Sequence, residues 1–218
     1  MGQLYYCYDA LCGWCYGFSP VITEFARRHG EVPVQVVSGG MITGERIGPI
    51  GEVAGYIKQA YKVVEDRCGV EFGQAFLRDI LEEGSAVFTS VPAAVAMAVF
   101  QEQLPERALE YAAVLQRAIY YDGIEPLDHA AYADRAAALG ADREDFLTKM
   151  DDPAYLEKAE ADFALSQSFG VTGFPTLVYE SVSGELYALA RGYLPLQNLE
   201  ANWRALQSSM TSSAAVNE

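Results

Sequence analysis

Apolar positions along this chain change their spacing twice, and the changes divide it into three parts. Over Leu4 to Tyr8, apolar and aromatic residues run together and predict a strand. From about Cys12 to Arg28, Phe18, Ile22 and Phe25 recur at spacings of four and three, which sets them on one face of a helix ended by Gly30. Pro20 falls early enough in that helix to kink it locally without ending it. Glu31 to Val37 is rich in valine and reads as a second strand. Two strands joined through a helix of this length predict parallel pairing with a right-handed crossover.

The middle of the chain, roughly 52–169, keeps a helical spacing throughout. Val91, Val95 and Val99 fall at strict fours, and Leu104, Ala108, Tyr111, Leu115 and Ile119 form a second stripe. Asp142 stands as an N-cap with Asp145 three residues on, and Pro153 suits the first turn of a helix toward Phe169 that carries Tyr155, Ala159 and Phe163 on one side. The glycine-rich run Gly39 to Gly51 lacks a Gly-Lys-Ser or Gly-Lys-Thr ending, so it is no nucleotide-binding loop; it reads as a flexible joint able to line a site. Strand spacing returns at Thr176 to Tyr179 and Glu185 to Ala190, with Ser183-Gly184 as a tight hairpin, and a helix over about Leu196 to Leu206 closes the chain. Residues 209–218 lack an apolar pattern and are expected to form a frayed tail. The expected fold class is α/β, with one domain from residues 1–40 and 170–208 and an all-helical insertion over 41–169.

Composition narrows the function. A net charge of -15 argues against nucleic acid or an anionic membrane surface as partner, and no apolar run approaches the length needed to span a bilayer. The N-terminus passes from Met-Gly-Gln straight into a strand pattern with no secretory signal, so the expected location is cytoplasmic. Four cysteines in 218 residues are too few to staple a scaffold, and in a reducing compartment a Cys-x-x-Cys pair is catalytic or metal-binding.

That pair is Cys12-Gly13-Trp14-Cys15, where the first strand gives way to the first helix. Two thiols three residues apart can close a disulfide across one helical turn, and the helix start favours negative charge on the outer sulfur. Cys12 is the expected exposed nucleophile, and Cys15, one turn inward, the resolving thiol. Gly13 allows the tight turn, and Trp14 is expected half-exposed beside the sulfur. A zinc site would need a second pair of ligands; Cys7 and Cys68 are isolated, and His29 and His129 have no ligand-like spacing. Cys7 reads as core, whereas Cys68 is either packing or a third reactive thiol.

With Gly170-Val171-Thr172-Gly173-Phe174-Pro175-Thr176 ahead of the third strand, the chain resembles the DsbA-like branch of the thioredoxin-fold disulfide oxidoreductases, a group related to kappa-class glutathione transferases and 2-hydroxychromene-2-carboxylate isomerases. The resemblance implies a thioredoxin-like domain carrying the helical insertion and a thiol-disulfide oxidoreductase or isomerase. It marks Pro175 as a cis proline facing the disulfide, with Phe174 and Thr176 beside it and an aromatic rim of Phe174 and Trp14. Such relatives keep a carboxylate six residues before the first cysteine, where this chain has Tyr6; Asp9, closer by, is expected to end the strand or cap the helix. No tightly bound cofactor is implied, and glutathione or another thiol is the expected redox partner. Protein thiols or disulfides, or a small thiol, are the expected substrates; a homodimer is compatible with the sequence and not required by it. Two other readings are a glutathione-dependent transferase or isomerase acting on a small molecule, whose relatives carry serine where this chain has Cys12, and a non-enzymatic binding or chaperone module.

Overall fold

A computed structural model describes residues 2–216. A four-stranded sheet has the order β2-β1-β5-β6, with β1 at Gln3–Tyr8, β2 at Val34–Ser38, β5 at Thr176–Glu180 and β6 at Leu186–Arg191. Between β1 and β2 runs α1 (Gly13–Arg28), and the two strands pair in parallel with Tyr6 opposite Val36. The strand β5 pairs antiparallel with both β1 and β6, Tyr6 lying opposite Leu177. Alternation in β1 divides its side chains: Leu4, Tyr6 and Tyr8 enter the core, while Cys7 meets Ser166 on the opposite face.

The predicted apolar face of α1 is buried, with Phe18, Ile22 and Phe25 all at 0% exposure. Arg27 and Arg28 in its last turn both bond Glu24, and the His29 amide closes the helix on the Phe25 carbonyl. Gly17 lets the helix that ends at Cys68 come close, since a Cβ there would stand 2.6 Å from the Cys68 sulfur. The closing helix α8 spans Leu196–Val216, ten residues beyond the stop expected at Leu206, and Trp203 anchors it against Phe25 and Tyr179. The expected frayed tail is thus helical as far as Val216; its last two residues lie outside the described ones.

Between β2 and β5 the chain forms the helical insertion: α2 (Ala54–Cys68), a π-helical segment (Ala75–Glu82), α3 (Val91–Gln103), α4 (Ala108–Tyr120), α5 (His129–Ala138), α6 (Arg143–Met150) and α7 (Pro153–Ser168). Two-residue strands β3 (Gly48–Pro49) and β4 (Val87–Phe88) pair within it, a ladder too short to show in sequence spacing. The three helix starts α5, α6 and α7 are capped by Asp128, Asp142 and Asp152 side chains, each accepting from an amide two or three residues on. The stripes read from sequence are the packing faces: Tyr111, Leu115 and Ile119 of α4 and Val99 of α3 are fully buried. Among the described residues no helix is long and apolar enough to cross a membrane.

Candidate redox site

The turn between β1 and α1 is organised by Asp9. Its Oδ1 accepts from the Leu11 amide at 2.9 Å, an Asx turn of the kind a short carboxylate forms with its own backbone. The same oxygen accepts from the Ser90 hydroxyl at 2.9 Å, and Oδ2 accepts from the Met41 amide at 2.7 Å. One buried carboxylate therefore joins the redox turn, the glycine-rich loop and the start of α3. Burial raises its pKa above the ordinary aspartate value, and the three donors oppose that. Asp9 does not cap the helix.

The N-cap is Cys12 itself, in extended conformation, with its Sγ accepting from the Cys15 amide at 3.3 Å. A sulfur in this place receives the unpaired amides of the first turn, where a helix accommodates negative charge. The Cys12 thiol also donates to the Phe174 carbonyl at 3.5 Å, across 162 residues of sequence. The Phe174–Pro175 bond is cis, and the Pro175 carbonyl is taken by the Gly192 amide at 2.7 Å. Thr176 follows at the start of β5, its hydroxyl donating to the Gly173 carbonyl at 2.8 Å. Gly39 makes room for this arrangement: a Cβ there would lie 2.2 Å from the Phe174 ring.

The two thiols differ in access. Cys12, expected to be exposed, is only 6% so, because the insertion overhangs it; Cys15 is fully sealed at 0%. A cleft of about 270 Å³ leads to Cys12 and does not touch Cys15. Its walls include Trp14, Met41, Tyr56, Phe72 and Tyr120, and no charged side chain lines it among the described residues. Half-buried Trp14 packs on Tyr193 with ring centroids 6.3 Å apart. Gly13 opens the helix where a Cβ would approach Phe72 at 3.6 Å. The glycine-rich loop thus lines the site through Met41 and Ile42.

Burial pushes the Cys15 thiol well above its ordinary range, the adjacent Cys12 sulfur acts in the same direction, and a backbone hydrogen bond from Asp9 opposes both. Burial likewise lifts Cys7 to about 11, against a hydrogen bond to Ser166, and Cys68 to about 11, against a hydrogen bond to Tyr193. Cys68 is half-buried against Gly17, the arrangement of a packing thiol. His29 caps the end of α1 and His129 begins α5, both away from Cys12. Among the described residues no group of three or more His, Cys, Asp or Glu is placed to hold a metal ion.

Sequence reasoning missed the junction role of Asp9. The Asx turn to Leu11 has a local signature, an aspartate two residues before the receiving amide, but Met41 and Ser90 are 32 and 81 residues away and carry none. It also missed Phe72 and Tyr120, which bring the insertion over the first helix, Phe72 meeting the Tyr16 ring edge-on and Tyr120 stacking on it.

Residues 4–202 match the DSBA-like thioredoxin domain. No curated protein matches the sequence significantly. Among solved structures the chain is similar to the cytosolic disulfide reductase DsbM from Pseudomonas aeruginosa, at 30% identity over 96% of this chain and 98% of that one, with a TM-score of 0.79. A structure of the same reductase with GSH gives a TM-score of 0.76, again at 30% identity, covering 96% of this chain and 99% of that one. A Nitrosomonas europaea protein is similar in fold, with a TM-score of 0.82 at 24% identity over 95% of this chain and 98% of its own. The chain belongs to the DSBA-like thioredoxin-domain family, and its function is thiol-disulfide oxidoreduction or isomerisation.

Proposed function

We propose that this protein is a cytoplasmic disulfide reductase in which Cys12 attacks, Cys15 resolves, and glutathione or another small thiol restores the dithiol. The observation that carries the assignment of roles is the difference in access: the cleft ends on the Cys12 sulfur, while Cys15 lies behind it. Cys12 thiolate attacks one sulfur of a substrate disulfide, forming a mixed disulfide and expelling the other sulfur as a thiolate. Cys15 then attacks the Cys12 sulfur, closing the Cys12–Cys15 disulfide and releasing the second substrate sulfur, which takes up the Cys15 proton and leaves as a thiol. Two electrons have passed to the substrate; two glutathione thiols return them and leave as glutathione disulfide.

Gly13 and Trp14 shape the helix tip, and Phe174, Pro175 and Thr176 form the facing loop against which the substrate is held. The Phe174 carbonyl holds the Cys12 sulfur at the inner end of the cleft. The reducing direction, the thiol partner and the location are supported by likeness to a cytosolic disulfide reductase whose structure has been solved with GSH. Residues 1–40 and 170–208 act as the redox domain, and 41–169 supplies the outer wall of the cleft.

The test is mass analysis of Cys15→Ala protein after incubation with glutathione disulfide. Stable glutathione on Cys12, absent from Cys12→Ala protein, is expected. Modification of Cys68 alone, with Cys12 untouched, would overturn the assignment.

A further inference from the structure

The Tyr6 hydroxyl is buried at the redox site with its hydrogen bond unspent. The residue is 1% exposed in the middle of β1, its ring held against Tyr8 and Phe18 at centroid separations of 5.5 and 6.0 Å. Its oxygen makes no hydrogen bond of normal geometry among the described residues. The polar groups around it are the Cys15 sulfur, which is also its one candidate hydrogen-bond partner, then the Cys12 sulfur and the Tyr8 hydroxyl; Asp9, Tyr8 and Tyr120 face Cys15 from the other sides. Leaving a buried hydroxyl unpaired costs about 1–3 kcal/mol, so such a group calls for a partner in some state of the protein. A thiol is a weak acceptor, whereas a thiolate is a strong one. The unspent donor therefore acquires its acceptor when Cys15 ionises.

We infer that Tyr6 is a positioning residue for the resolving step, donating its hydroxyl hydrogen to the Cys15 thiolate while Cys12 is held in a mixed disulfide. The inference rests on the dithiol reading given above. In the step itself, the Cys15 proton ends on the departing substrate sulfur and Tyr6 keeps its own. The Cys15 sulfur then bonds the Cys12 sulfur, the Cys12–substrate bond breaks, and the substrate sulfur leaves with the electron pair. Tyr6 enters neither bond. It lowers the cost of the anion that must form in a site where burial opposes charge. Its place on β1, paired to β2 on one side and β5 on the other, keeps the hydroxyl fixed relative to α1.

The experiment compares wild-type and Tyr6→Phe protein, both in a Cys68→Ala background, by rapid mixing with a symmetric aryl disulfide whose released thiolate absorbs visible light. The first thiolate reports attack by Cys12, and the second reports resolution by Cys15. A charge-accepting hydrogen bond is worth about tenfold in rate. Tyr6→Phe is therefore expected to leave the first phase within about twofold, to slow the second about tenfold near neutral pH, and to move its pH midpoint up by about one unit. A second phase unchanged in rate and midpoint would overturn the inference, as would equal slowing of both phases, which is the mark of disturbed packing. If wild-type protein shows no second phase at all, the dithiol reading fails first and this inference with it. Should Tyr6→Phe not fold, the Tyr6 ζ-carbon resonance of wild-type protein alkylated at Cys12 gives the same answer. It is expected to titrate with Cys15, and its failure to do so would sink the proposal.

Discussion

Replacing Asp162 by asparagine removes a charge from a place where burial opposes it. Asp162 lies on α7 with its carboxylate against the end of β2, where Oδ2 accepts from the Ser38 amide at 3.0 Å. Burial pushes its pKa from 3.8 up to about 6, and the single amide donor only partly offsets this. Because the folded pKa is raised above the unfolded one, the favourable contribution is complete below about pH 4 and is lost as pH rises through 6. Two units correspond to about 3 kcal/mol; since solvent reaches part of the side chain, about 1–3 kcal/mol is the range to expect. Asparagine keeps an oxygen for the Ser38 amide and carries no charge. Urea unfolding of the reduced protein from pH 4 to 8.5 is the assay. At pH 8 Asp162→Asn should be more stable than wild type by about 1–3 kcal/mol. At pH 4 it should be equal or slightly less stable, with the two curves separating around pH 6. A stability difference independent of pH would show that the carboxylate is not the titrating group and refute the reasoning.

Two further substitutions probe the scaffold around the thiols. Asp9→Ala leaves the Leu11 and Met41 amides and the Ser90 hydroxyl without their shared acceptor, and should cost about 2–4 kcal/mol in chemical unfolding while speeding alkylation of Cys12 as the loop over the cleft loosens. Unchanged stability would contradict the junction role. Gly17→Ala sets a Cβ 2.6 Å from the Cys68 sulfur and 3.0 Å from Val64, which should cost about 1–3 kcal/mol of overpacking. Adding Cys68→Ala should restore part of the loss, and a double variant no more stable than Gly17→Ala would place the clash elsewhere.

Much of the architecture was legible because its causes are local. Phe18, Ile22 and Phe25 share a helix face by spacing alone, and that face is the buried one. Valines at strict fours and the Pro153 start mark helices whose stripes pack as read. Element ends were less legible. The helix expected to stop near Leu206 continues to Val216, and the β3–β4 ladder exists only because the insertion brings Gly48 opposite Phe88. At the site, two thiols at a strand-to-helix turn announce their chemistry, but their accessibility does not follow from that position. Cys12 is overhung by Phe72 and Tyr120, contributed from 60 and more residues away, so a helix tip that should face solvent ends a cleft instead. Tyr6 stood out in the sequence only through the carboxylate that the resemblance expects in its place, and Asp162 not at all; what distinguishes each is the surroundings that the fold brings to it.

Disulfide reduction by this protein requires Cys12 and Cys15 to form one two-electron couple. Equilibrating purified protein in glutathione buffers of graded ratio, while following Trp14 fluorescence and free thiols together, measures this directly. A single transition is expected, in which two thiols disappear with the fluorescence change, abolished by Cys15→Ala. Loss of thiols without a Cys12–Cys15 disulfide, or a transition that survives Cys15→Ala unchanged, would contradict it.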